Sequence, residues 1–159
     1  MARFDMSGLD AVVREMQARG EETGPVADAM LLKGAAEVRD AWRLAAGECG
    51  HRATGAMIES IGFPRGPEKI GEFRRIDIYP QGTDERGVRN AYKAFLLHYG
   101  TSRIDGSHWV DLADRYCEVS VVPAMEAVWT AYLETGRVPA AAMGAGPAAA
   151  GAGIIKRTT

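Results

Sequence analysis

Cysteine is scarce, with Cys49 and Cys117 the two in 159 residues. That is too few for a disulfide framework and points to a reducing compartment. No apolar run approaches the ~18 residues of a membrane span. Met1 to Gly20 carries charge throughout and lacks the apolar segment of a signal peptide. Neither sign of charge dominates: 19 basic and 21 acidic side chains leave a net charge of −2. Basic minus acidic is 7 − 9 over residues 1–52, 8 − 7 over 53–106 and 4 − 5 over 107–159. A broad electrostatic footprint for nucleic acid is therefore absent. So are the Gly-x-x-x-x-Gly-Lys-Ser/Thr phosphate loop and the Gly-x-Ser-x-Gly nucleophile elbow.

What is there is an ordinary globular composition, 47% hydrophobic and 25% charged, which excludes a wholly disordered chain. The length suits one domain, expected over residues 1–136. From Gly136 the composition shifts. Residues 139–153 hold 12 Ala or Gly in 15, plus two prolines, so 137–159 reads as a flexible tail. It ends in the apolar pair Ile154-Ile155 followed by Lys156-Arg157.

Residues 7–19 predict a short amphipathic helix, with Ser7 as cap, Leu9, Val12, Val13 and Met16 on one face and Gly20 as stop. A longer helix is expected over 25–46, opened by Pro25, with Val26, Met30, Leu31, Ala35, Val38, Trp42 and Ala45 as its buried stripe. Gly34 within it marks a close crossing with another helix. Thr54 caps a short helix over 53–61. Alternation of Ile76 and Ile78 with Asp77 and Tyr79 predicts a strand over 72–80, with 59–65 or 70–74 as partner. Residues 90–98 are apolar and compact; periodicity does not separate helix from strand there, and helix is the favoured reading. A last helix is expected over 108–134, capped by Ser107 and kinked or restarted at Pro123. Its stripe is Trp109, Leu112, Ala113, Tyr116, Ser120, Ala124, Ala127, Val128 and Ala131. The fold class is α+β: the two long helices pack on a small, mainly antiparallel sheet.

Chemistry is thinly signalled. Cys49 and His51 are two apart, but His98, His108 and Cys117 lack the paired spacing of a zinc site, so no metal or other cofactor is expected. Cys117 lies in the last helix, where a thiol is packing. Ser102 and Ser107 lie near His98 and His108, which raises a serine nucleophile with its base. Without the elbow, turn serines are caps, and no catalytic residue is assigned. Arg65, Lys69, Arg74 and Arg75, interleaved with Phe63 and Phe73, form a basic group that faces either DNA or solvent at a strand edge. Trp129 falls beside its helix stripe, a hint of a subunit interface.

The order of the pieces carries more. Gly8-Leu9-Asp10 opens a short helix before the long one. Then come Thr54-Gly-Ala-Met-Ile-Glu-Ser-Ile61, a polar strand region, Ala94-Phe-Leu-Leu-His-Tyr-Gly-Thr-Ser102, and a helix from His108-Trp-Val-Asp-Leu through Pro123-Ala-Met-Glu. Over about residues 7–135 this resembles the head–tail joining, or tail-completion, proteins of tailed bacteriophages, the minor-capsid-type proteins of siphophage necks. That family has Thr-Gly-x-Leu-x-x-Ser-Ile after the long helix and Phe-x-x-Tyr/Phe-Gly-Thr before the last one. This chain departs from it with His51-Arg-Ala53 where Pro-Val-Asp is common and His108-Trp-Val110 where Pro-Phe-Leu is common.

The resemblance implies a non-enzymatic virion protein assembled in the host cytoplasm. Its copies would form a hexameric ring around the DNA channel, joining the head connector or stopper protein to the tail tube or its terminator. Double-stranded DNA would pass without sequence-specific binding, and no membrane is involved. Thr54, Gly55, Ser60, Tyr99, Gly100 and Thr101 would then serve folding, with Gly55 permitting a tight approach at its junction. A ring needs a closing heterologous interface with aromatic anchors. Tyr92, Phe95, Tyr99, Trp109 and Trp129 are the residues expected to supply them. The alternatives are a small nucleic-acid- or partner-binding module using Arg65 to Arg75, and a small hydrolase using a serine or cysteine with His98 or His108.

Overall fold

The computed structural model describes residues 14, 23–51, 55–71 and 73–139. Apart from Arg14, the expected helix over 7–19 lies outside these residues, as do Thr54 and the Ala/Gly-rich segment from 140 onward. The elements run in the order α1 (Thr23–Glu48), α2 (Ala56–Glu59), β1 (Ile61–Gly62), β2 (Glu68–Ile70), β3 (Phe73–Arg75), β4 (Tyr79–Pro80), α3 (Asn90–Tyr99), β5 (Gly100–Thr101), β6 (Ile104–Asp105) and α4 (Trp109–Thr135). This is an α+β chain with two long helices and small antiparallel strand pairs.

Helices α1 and α4 pair with each other along their whole length. Val26 meets Tyr132 and Trp129 at one end. Ala29 packs with Val128. At the other end the Trp42 and Trp109 rings stack edge to face, 5.3 Å apart. The directions are therefore opposed. Small residues at 29, 35, 41, 45 and 46 of α1 are all buried and let the backbones approach. Gly34 is the tightest point: a Cβ there would lie 3.0 Å from Met125 Sδ and 3.5 Å from Val121 Cγ1. The close crossing expected at Gly34 is real. The contact stripe of α4 runs through Val121 and Met125 at this level, whereas Ala127, expected on it, is exposed.

Helix α4 continues through Pro123, so of the expected kink or restart the restart does not occur. The ring removes the ladder bond to the Val119 carbonyl. Val119 and Pro123 both lie on the exposed face, where water can serve that carbonyl instead.

Between the long helices lie three separate two-stranded antiparallel pairs: β1 with β4, β2 with β3, and β5 with β6. The strand expected over 72–80 is thus divided. Its start closes a hairpin with 68–70, residues 76–78 carry no ladder, and Tyr79–Pro80 pairs with Ile61–Gly62. The partner expected in 59–65 is the one that Tyr79–Pro80 uses. Beneath these connections Met57, Ile61, Ala94 and Trp109 join Ala46 in the main core, with Trp42, Ile58, Ile78, Leu97 and Val110 packed around it. The Arg43 guanidinium donates through Nη2 to the carbonyls of Glu59 (2.9 Å) and Ile61 (2.8 Å), tying α1 to the α2–β1 corner.

Candidate functional site

The segment from Asn90 to Asp111 gathers most of the residues singled out by the sequence. Helix α3 buries Asn90, Ala94 and His98 on one side. Trp109 Nε1 donates to the Ala94 carbonyl at 3.3 Å from beneath. Trp109 is 1% exposed, so it is a core residue and not a subunit-interface anchor. Trp129 is half-buried, packed on the Val26–Tyr132 cluster with its ring 5.9 Å from that of Tyr132. The other aromatics behave differently. Tyr92, Phe95 and Tyr99, spaced i, i+3 and i+7, are 57%, 57% and 62% exposed and form one outward stripe. The Phe95 and Tyr99 rings touch at 4.8 Å between centroids, so the patch is preorganised.

At its end α3 passes into the β5–β6 hairpin through Gly100, at φ 82°. A Cβ on Gly100 would sit 2.5 Å from the Gly106 nitrogen and 2.6 Å from the Ile104 carbonyl oxygen. Both conformation and space demand glycine here. The glycine of the motif's Gly-Thr pair is thus a requirement of the turn. Gly55 also has positive φ, at 69°, and holds the N-cap position of α2, which the sequence reading gave to Thr54. The tight approach expected at Gly55 does not occur: a Cβ there would meet only Glu59 Oε1, at 3.7 Å. Ser60 closes α2 by donating Oγ–H to the Met57 carbonyl at 2.7 Å.

Ser107 does not cap α4. The N-cap is His108, in the left-handed region at φ 49°. Ser107 instead caps the end of α3, its N–H (3.0 Å) and Oγ (2.9 Å) both donating to the Leu97 carbonyl. Its oxygen also faces His51 Nε2 at 2.7 Å. A hydroxyl has one proton, and Leu97 takes it, so the imidazole must donate to Oγ. A base is the reverse of that, and the pair reads as a structural clasp between the end of α1 and α4. Burial pushes the His51 pKa below its ordinary value, favouring the neutral ring. Sequence spacing had set Ser107 beside His98 and His108. Its actual partner lies 56 residues away, beyond any local signal.

Those two histidines converge with a third group. His98 and His108 have ring centroids 5.2 Å apart. His108 Nδ1 lies 3.6 Å from Asp111 Oδ2. One ligand atom from each of His98, His108 and Asp111 falls within 4.8 Å of the others. From the sequence no metal is expected, because Cys49, His51, His98, His108 and Cys117 lack the paired spacing of a zinc site and Asp111 carries no signal of its own. The turn of β5 and β6 supplies the closeness instead.

Cys49 packs against the main core. Burial, and then the charges of Asp114 and Glu37, push the Cys117 thiol up, which disfavours the thiolate. The basic group is dispersed. Arg74 is bound to Asp28 of α1. Arg75 lies between Glu68 (3.6 Å) and Asp77 (3.1 Å). Phe63 is buried with the Arg39 guanidinium 5.6 Å from its ring. That leaves Arg65 exposed in the loop before β2 and Lys69 exposed on the β2–β3 hairpin that carries Phe73. No helix among the described residues is long and apolar enough to cross a membrane.

No family model, curated protein or solved structure matches the chain.

Proposed function

We propose that this chain is a structural subunit of the head–tail connection of a siphophage-like particle. In that reading its copies form a ring, with six as the expected number, around the DNA channel of the virion. The ring joins the head connector or stopper to the tail tube or tail terminator. The observation that supports this most is the exposed stripe of Tyr92, Phe95 and Tyr99 on α3. It adjoins the Tyr-Gly-Thr turn on which the resemblance to neck proteins rests. Aromatic residues exposed on one rigid helix face are what a closing interface uses as anchors. The net charge of −2 suits a channel through which DNA slides without being held.

The binding-module reading rests on the exposed Arg65 and, at the hairpin, on the exposed Lys69 and the 78%-exposed Phe73. It is weaker, because Arg74 and Arg75 already have carboxylate partners. Electron microscopy of the particle fraction containing the protein tests the choice. The neck reading expects a closed ring coaxial with the tail tube. A protein absent from particles, binding duplex DNA with a steep salt dependence, overturns it.

A further inference from the structure

We propose that His98, His108 and Asp111 form a binding site for a first-row divalent cation of the zinc type, independent of the assembly reading above. Two imidazoles and a carboxylate are a borderline donor set, matched to Zn²⁺, Co²⁺ or Ni²⁺ and not to Mg²⁺ or Ca²⁺. The three ligand atoms lie within 4.8 Å of one another. Around a tetrahedral zinc, bonds of about 2.0–2.2 Å place ligand atoms roughly 3.4 Å apart. The site therefore closes by shifts on the order of 1 Å, within the reach of rotamer adjustment at two exposed side chains, His108 and Asp111.

The ligands come from elements of different rigidity. His98 is 9% exposed on the last turn of α3. The Tyr99 ring lies edge-on to it at 4.4 Å, and the Val110 N–H reaches its Nδ1 at 3.4 Å. That hydrogen bond is long, so a metal bond to the ring displaces little. His108 is the sole non-glycine residue at positive φ among the described residues. That conformation turns its ring back toward His98, and the first turn of α4 brings Asp111 onto the same side. The C-terminal end of α3 adds a favourable field for a cation, and Asp111 offsets the opposing field of the α4 N-terminus. Three protein ligands leave a fourth position open on the exposed side, for water or a donor from a neighbouring molecule. A bound cation would staple α3 to α4 across the β5–β6 turn.

The test uses the full chain, freed of metal with EDTA and titrated calorimetrically with Zn²⁺, then with Mg²⁺. Co²⁺ serves as the absorbing probe of geometry. We expect saturable binding of one Zn²⁺ per chain, none of Mg²⁺, and visible Co²⁺ bands. His108→Gly removes a ligand while suiting the positive φ, so the fold is retained. Asp111→Asn keeps the shape of the third ligand. Each variant is expected to weaken Zn²⁺ at least tenfold, with circular dichroism unchanged. Absence of one-to-one uptake, or uptake undiminished in both variants, overturns the proposal; the second result would place the ion elsewhere, on Cys49, His51 or Cys117.

Discussion

His51 and Ser107 illustrate how a single pair links chemistry to stability. The ring is held neutral by partial burial, so its pKa in the folded chain lies below that of the unfolded chain, about 6.5. The unfolded state therefore takes up a proton first as pH falls. The stability associated with the neutral ring is complete above about pH 6.5 and declines below it. Urea midpoints measured from pH 8 to pH 5 should fall over the lower part of that range. His51→Gln, which keeps a donor to Ser107 Oγ but cannot titrate, should flatten part of the slope. An unchanged slope in the variant assigns the effect to another group. Nothing near His51 in the sequence announces this pair, because its partner stands 56 positions away. Gly100, by contrast, stands in a motif visible in the sequence, and the 2.5 Å that would separate an added Cβ from the Gly106 nitrogen supplies the reason for glycine there.

At the level of elements, the crossing of α1 and α4 at Gly34 is the sharpest constraint. Gly34→Ala gains about 1 kcal/mol of helix propensity. It also brings a methyl to 3.0 Å from the flexible Met125 side chain. The two effects oppose, and the net change in unfolding free energy should be under about 1 kcal/mol. Gly34→Leu has no such compensation and should cost about 1–3 kcal/mol by overpacking. Chemical denaturation distinguishes them, and a Leu variant as stable as the parent would refute the close crossing. The long helices were readable because a 3.6-residue stripe repeats over more than twenty positions in each. The strand over 72–80 was only partly so. Its alternation of Ile76 and Ile78 is genuine, but the hairpin closed at Arg75 takes its first residues and β1 takes its last, leaving 76–78 outside any ladder. Two-residue strands carry too few positions for periodicity to reveal them.

For the whole molecule, the proposed ring predicts a separation of folding from assembly. Phe95 is 57% exposed, so Phe95→Glu should change the stability of the isolated chain by no more than about 0.5 kcal/mol. The same charge placed in a desolvated interface should abolish ring formation, read out as loss of the protein from particles. Particles that incorporate the variant normally would remove α3 from the interface. Sequence reasoning named five aromatics without separating core from surface. Trp109 is enclosed by the main core, edge to face with Trp42, and Trp129 packs on the Val26–Tyr132 cluster. Among the described residues, Tyr92, Phe95 and Tyr99 remain more than half exposed.

The antiparallel pair of long helices also sets a schedule for synthesis. Helix α1 ends at Glu48, and α4, which covers it, ends at Thr135. At about 5–20 residues per second, translation takes roughly 4–17 seconds to supply that cover. Throughout this interval the apolar side of α1, from Val26 to Ala46, is without its native mate. The yield of folded chain is therefore expected to rise with the supply of chaperones that hold exposed hydrophobic helices, as expression with and without them would show.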